Sequence, residues 1–203
     1  PENMVEDVQI ALGKILGETT VGDPRAEGVK MGPLAGISQR SDVKKNLDLL
    51  LQESEVVYGF PDKETDSKGA FMSPILLLNS DPFKKLSTHH IEVFGPVSTL
   101  LPYKNLDEAI ELAKMGKGSL CSSITTADNE IAKDFVIGAA SHHGRILVFN
   151  KDCAKESTGH GSPMPMLVHG GPGRAGGGEE MGGKRGVLHY LQRTAIQGSP
   201  TTL

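Results

Sequence analysis

A chain of 203 residues, 37% hydrophobic before its 25 glycines are counted, is long and apolar enough to bury a core, which excludes disorder as its organising state. A formal net charge of -4, with 21 Lys and Arg scattered among 25 Asp and Glu, excludes the basic face that nucleic acid or an anionic membrane requires. Two cysteines, Cys121 and Cys153, form neither a CxxC pair nor a disulfide framework and suit a reducing cytoplasm, no metal-ligand spacing is present, and the longest aliphatic run, 75–78, is far short of a membrane span.

Val5, Val8, Leu12 and Ile15 recur at three and four, which predicts an amphipathic helix over 4–16. After the Gly22-Asp23-Pro24 turn and Gly32-Pro33, a second helix is predicted from about Ser38, with Val43, Leu47, Leu50 and Leu51 inward. Strands are expected over 56–60 and 74–78. A third, over 97–103, feeds a helix opened by Asn105-Leu106-Asp107-Glu108, a capping box that satisfies free amides at a helix start. A strand over 120–125, a helix over 128–140 with Ile131, Phe135, Val136 and Ala139 on one side, and a strand over 145–149 complete the unit. Strand and helix alternating through short connections predict a parallel sheet covered by helices, so the fold class is α/β. In 159–186, 11 of 28 residues are glycine, which predicts a long loop. Apolar order resumes over 187–197 as a short helix or strand before the polar tail 198–203.

Several local patterns carry chemistry only in the right context. Gly171-Pro172-Gly173-Arg174-Ala175-Gly176 spells GxGxxG, but no helix pattern follows and no acidic residue stands about twenty positions on. Residues 178–184 spell GxxxxGK, but Arg185 replaces the hydroxyl that would bind magnesium, and Glu179 and Glu180 would repel phosphate. Cys153 with His160 or His169 has the residue types of a thiol hydrolase without a supporting spacing, and packing is the simpler reading. The adjacent pairs His89-His90 and His142-His143 diverge on any regular element and are read as local hydrogen-bonding residues. Arg174, Lys184 and Arg185 would suit an anionic group, or simply balance Glu179 and Glu180.

Glu92-Val93-Phe94-Gly95-Pro96-Val97 resembles the EIFGPV segment of the aldehyde dehydrogenase superfamily. Upstream, Val21-Gly22-Asp23-Pro24 and Met31-Gly32-Pro33-Leu34 match its VGDP and MGPL landmarks, and 118–125 stands where that family has its YGLAAGIFT strand. Nearly the whole chain is covered, in order. The stretch from Ala154-Lys155-Glu156-Ser157-Thr158-Gly159-His160-Gly161 through Gly176-Gly177-Gly178-Glu179-Glu180 resembles more narrowly the bifunctional ring-opening group of bacterial phenylacetate degradation, in place of the general PFGGxKxSG segment. In that group a dehydrogenase part oxidises a CoA-linked semialdehyde to the carboxylate with NADP, and a hotdog-fold hydratase part makes the aldehyde. The benzoyl-CoA pathway dehydrogenases, which lack the hydratase, are the near alternative.

The resemblance implies an aldehyde-dehydrogenase-like catalytic domain over 1–186, parallel-rich, flanked by helices and incomplete at its N-terminal side, with 187–203 a segment pairing with another subunit of a homo-oligomer. It places Glu92 at the hydroxyls of the nicotinamide ribose of NADP or NAD and Phe94 beside the nicotinamide ring, and a carboxylate and an aromatic face suit those partners. Ser157, Thr158 and His160 would lie near the substrate, a small aldehyde expected to be CoA-linked. In this family a cysteine thiolate attacks the aldehyde and a glutamate activates the hydrolytic water, and neither Cys121 nor Cys153 aligns with that nucleophile. Both groups would precede this segment, so the chain alone is expected not to catalyse; the other reading is a non-catalytic structural or interaction module.

Overall fold

The computed structural model describes residues 1–61, 68–156, 169–176, 187 and 190–201. They divide into two units, Pro1–Lys104 and Asn105–Leu203.

In the first unit, α1 (Val5–Gly17) presents Val5, Val8 and Leu12 inward as the spacing predicts, but none is fully buried. Its stripe ends on Leu16, while Ile15 is 60% exposed; at 3.6 residues per turn either position could close the row, and packing selects the second. The helix α2 (Ile37–Leu50) buries Val43, Leu47 and Leu50, and Leu51 packs partly against them. Strand β1 (Glu55–Tyr58) runs antiparallel to β2 (Ile75–Leu78), and beyond the short helix α3 (Ser87–His90) β3 (Val97–Leu100) lies parallel to β2, with Ile75 opposite Val97 and Leu78 opposite Leu100. Ile75, Leu76 and Leu77 are all buried, as an uninterrupted aliphatic run requires of a strand covered on both faces. Ile75 and Leu77 join Met72 and Val93 against the α2 stripe. Each such side chain contributes about 1.5–3 kcal/mol by leaving water.

In the second unit the order is α4 (Leu106–Lys114), β4 (Ser119–Thr125), α5 (Asn129–Ala139), β5 (His143–Phe149) and β6 (Ala195–Gln197), with β4 and β6 both parallel to β5. Asn105 caps α4 by accepting the Glu108 amide at 3.0 Å, and Asp128 caps α5 by accepting those of Glu130 and Ile131. Phe135, Ala139 and Ile146 form the core, with Ile110, Ile124, Val136 and Ile196 packed on it.

The α/β class with parallel pairing therefore holds, with two corrections. Strand β3 pairs with β2 and not with β4, so the predicted continuous unit over 97–150 is shared between two three-stranded sheets. Ile131 is 40% exposed because α5 turns Ala132, Phe135 and Ala139 inward. Within 187–197, β6 is the strand the apolar order allows, and it pairs with β5 of the same chain. Among the described residues no helix is long and apolar enough to cross a membrane.

Candidate functional site

The loop 91–96 is built from helix α2 outward. Gln39, Val43 and Asn46 lie at i, i+4 and i+7, one stripe of the helix, and each meets the loop. Gln39 Nε2 donates to the Phe94 carbonyl at 2.8 Å, and its Oε1 accepts the Ala35 amide at 3.2 Å. Asn46 Nδ2 donates to the Glu92 carbonyl at 3.3 Å. Between them Val43, fully buried, lies against Gly95 so closely that a Cβ there would come within 2.8 Å of a Val43 methyl. The next residues are fixed from the sheet side: the Pro96 carbonyl accepts the Ile75 amide at 2.9 Å, and Val93 enters the core.

Held this way, the loop shows its backbone to the protein and two side chains to solvent. Glu92 is exposed, and among the described residues no donor occupies its carboxylate. Phe94 is 70% exposed and has φ +47°, in the left-handed region that costs a bulky L-residue about 1–2 kcal/mol. Phe94 is thus an exposed aromatic held in a strained conformation by its surroundings. A free carboxylate and a free aromatic face on one fixed loop fit a ribose and a planar ring. The two cofactor-binding residues expected from the sequence are thus brought together. Gln39 and Asn46, which position them, were not singled out there; their one signal is two amides flanking a core valine on a single helical stripe.

Helix α3 leads into this loop, and Glu53 holds its start. Its Oε2 accepts the Ser87 amide at 2.7 Å. Ser87 keeps the Glu53 carboxyl below the usual carboxylate range, first through its neighbouring hydroxyl, which lies close without full hydrogen-bond geometry, then through that amide, with the positive charge of Lys85 adding to the effect. A depressed folded-state pKa stabilises above the unfolded value and is lost as pH falls through the folded one. Acid titration of the melting temperature should therefore show a loss below about pH 4.3 that is smaller in Glu53→Gln, since the amide accepts the same bond without titrating; superimposable profiles would refute the assignment.

The remaining candidates carry less. The Cys153 sulfur is engaged within its own turn, facing the Asn150 amide at 3.4 Å and the Val148 and Asn150 carbonyls at 3.6 Å. Burial, then the charges of Arg145 and Arg193, hold the His169 imidazole below its ordinary pKa. His89 and His143 are buried and bonded to the Pro82 and Ala139 carbonyls at 2.8 and 2.9 Å, and among the described residues no group of three or more potential ligands could hold a metal. Arg174 Nη2 donates to the Gly116 carbonyl at 2.7 Å. A groove of about 460 Å³ beside β1, lined by Leu16, Tyr58, Phe60 and Pro74 among others, presents no carboxylate, imidazole or thiol among the described residues. Ser157, Thr158, His160, Lys184 and Arg185 lie outside the described residues.

The sequence pattern of the aldehyde dehydrogenase family matches residues 1–196. The chain belongs to that family. It is 51% identical over 174 residues to Protein MaoC of Klebsiella aerogenes, covering 85% of this chain and 52% of that protein. It is 39% identical over 165 residues to the 3,4-dehydroadipyl-CoA semialdehyde dehydrogenase of Aromatoleum evansii, covering 79% and 32%. The chain thus spans about half, or less, of the length of these relatives. Among solved structures, the aldehyde dehydrogenase C of Pseudomonas syringae, crystallised as a mutant with NAD+ and octanal, superposes with a TM-score of 0.72 at 23% identity over 94% of this chain and 36% of its own. That match fixes the aldehyde dehydrogenase fold.

Proposed function

We propose that these residues form the nicotinamide-facing part of an NAD(P)-dependent dehydrogenase that oxidises a CoA-linked semialdehyde to the carboxylate in phenylacetate degradation. The observation that carries this reading is the loop 91–96, which turns one unengaged carboxylate and one exposed aromatic ring outward from a backbone fixed by α2. Glu92 accepts hydrogen bonds from the ribose hydroxyls, and the Phe94 face packs beside the nicotinamide and shields it from water. When bound, the nicotinamide supplies the hydride acceptor. The CoA linkage is supported by the relative named for a CoA semialdehyde and by the resemblance of 154–180 to the ring-opening group. The benzoyl-CoA pathway, the near alternative in the resemblance, is the second reading of the substrate. A homo-oligomer belongs to either.

Neither cysteine takes the nucleophile's role in this proposal. Cys121 is an element of β4, and the Cys153 sulfur is engaged by its own turn. The 203 residues alone are accordingly expected to bind cofactor only weakly and not to turn over aldehyde. Saturation-transfer NMR of the chain with NADP and NAD tests the first half, with nicotinamide protons expected to receive magnetisation and Glu92→Gln expected to weaken the transfer. Absorbance at high protein concentration with simple and CoA-linked aldehydes tests the second. Failure to bind either nucleotide would remove the basis of the proposal, and turnover that disappears in Cys153→Ala would show that the nucleophile has been misassigned.

A further inference from the structure

We infer that Gln39 and Asn46 are positioning residues for the cofactor-facing loop, with Gln39 setting the conformation of Phe94 and Asn46 that of Glu92. This rests on the reading of 91–96 as a cofactor surface. Phe94 at φ +47° is not a conformation its own sequence favours, since Gly or Asn would be the ordinary occupant, so some interaction outside the loop must hold it there. The Gln39 amide is that interaction. Its Nε2 donates to the Phe94 carbonyl, the acceptor whose direction follows from the unusual backbone, while its Oε1 is tied to the Ala35 amide, which stops the side chain from rotating away. Gln39 itself is half-buried. One turn further, Val43 against Gly95 fixes the distance between helix and loop. Two turns on, Asn46 reaches the Glu92 carbonyl at 3.3 Å, a longer and weaker bond than the 2.8 Å one at Phe94. The two amides act on backbone carbonyls and leave both outward side chains free for the cofactor.

Three variants separate positioning from bulk stability. Gln39→Glu keeps the acceptor for Ala35 but sets a carboxylate against the Phe94 carbonyl, whereas Gln39→Lys keeps a donor for Phe94 and gives up Ala35. Asn46→Leu removes only the weaker bond. In the 203-residue chain, NADP and NAD affinity is read by NMR titration, the Phe94 and Glu92 amide signals are followed without nucleotide, and melting is followed by circular dichroism. Gln39→Glu should weaken nucleotide binding about five- to tenfold, the cost of one hydrogen bond to a positioned group, and Asn46→Leu about twofold. Gln39→Glu should also displace or broaden the Phe94 amide signal in the nucleotide-free protein, and Gln39→Lys should restore both signal and affinity. The inference is overturned if Gln39→Glu leaves the Phe94 signal and the affinity unchanged, or if the Glu and Lys variants lose affinity in parallel with melting temperature, which is what a merely structural role would give. A wild-type chain that binds neither nucleotide fails at the earlier step, the identity of the loop, and is recognised before any variant is compared.

Discussion

Replacing Gly95 by alanine should separate the loop from α2, lowering the stability of the first unit by about 1–3 kcal/mol and abolishing measurable nucleotide binding. The added Cβ would lie 2.8 and 2.9 Å from the two methyls of Val43. Contacts that short do not persist, and the neighbour cannot yield easily, because Val43 is fully buried and β-branched, with its χ1 restricted inside a helix. The loop must move instead. Any outward shift lengthens the Gln39 and Asn46 bonds on either side and turns Glu92 and Phe94 away from their present directions. Combining the change with Val43→Ala makes the argument quantitative. Val43→Ala alone leaves a cavity and should cost about 1–3 kcal/mol. Together the two should be less damaging than the sum, with a coupling of at least about 0.5 kcal/mol and partial return of binding, because the new methyl occupies the space the valine leaves. Strict additivity in denaturant unfolding would mean that Gly95 and Val43 are not in the contact described.

The parts of this arrangement that local rules govern were legible in the sequence. Asn105 and Asp128 cap their helices because a short polar side chain before an apolar period has little else to do, and the α2 stripe Val43, Leu47, Leu50 follows from periodicity alone. The EVFGPV resemblance located the exposed loop. Where two neighbouring positions compete for one helical row, as Ile15 with Leu16 or Ile131 with Ala132, the spacing does not decide and tertiary packing does. Sheet membership was equally out of reach: β3 pairs with β2 across an intervening helix, and no residue of β3 encodes that choice over pairing with β4. Least legible was the hold of α2 on the loop. Gln39 and Phe94 are 55 residues apart, Asn46 and Glu92 are 46, and an amide on a helix reads as a solvated side chain until the fold brings a carbonyl to it. The left-handed Phe94 left no trace either, since a strained residue is by definition one its own propensity argues against.

Gly118→Ala should have the largest single effect on the second unit, a loss of about 3–5 kcal/mol, because it meets two independent penalties. Gly118 has φ +120°, which an L side chain rarely adopts, and its Cβ would collide with the Pro172 carbonyl oxygen, a backbone atom that cannot rotate aside. For a unit of roughly 100 residues, that loss corresponds to a fall in melting temperature of more than about 12 °C. Gly116→Ala provides the internal control: its Cβ would meet the Ser119 hydroxyl at 3.1 Å and the Arg174 guanidinium at 3.8 Å, both ends of side chains that can turn, so its cost should stay below about 1 kcal/mol. The same geometry accounts for Gly171 and Gly173 of the spelling at 171–176, whereas Gly176 meets nothing within 4 Å and has φ +68°. A Cβ on Gly171 would run into Gly144, and one on Gly173 into the Lys117 carbonyl, so these residues are small because the chain's own backbone from 117–118 and 144 lies against them. The space that a dinucleotide pyrophosphate would need at those glycines is filled by protein, and the 3₁₀ turn Gly173–Ala175 serves as an anchor for the start of β4. If Gly118→Ala melts no lower than Gly116→Ala, that close crossing of 118 and 172 is absent in solution, and the pattern 171–176 would have to be tested again as a phosphate loop.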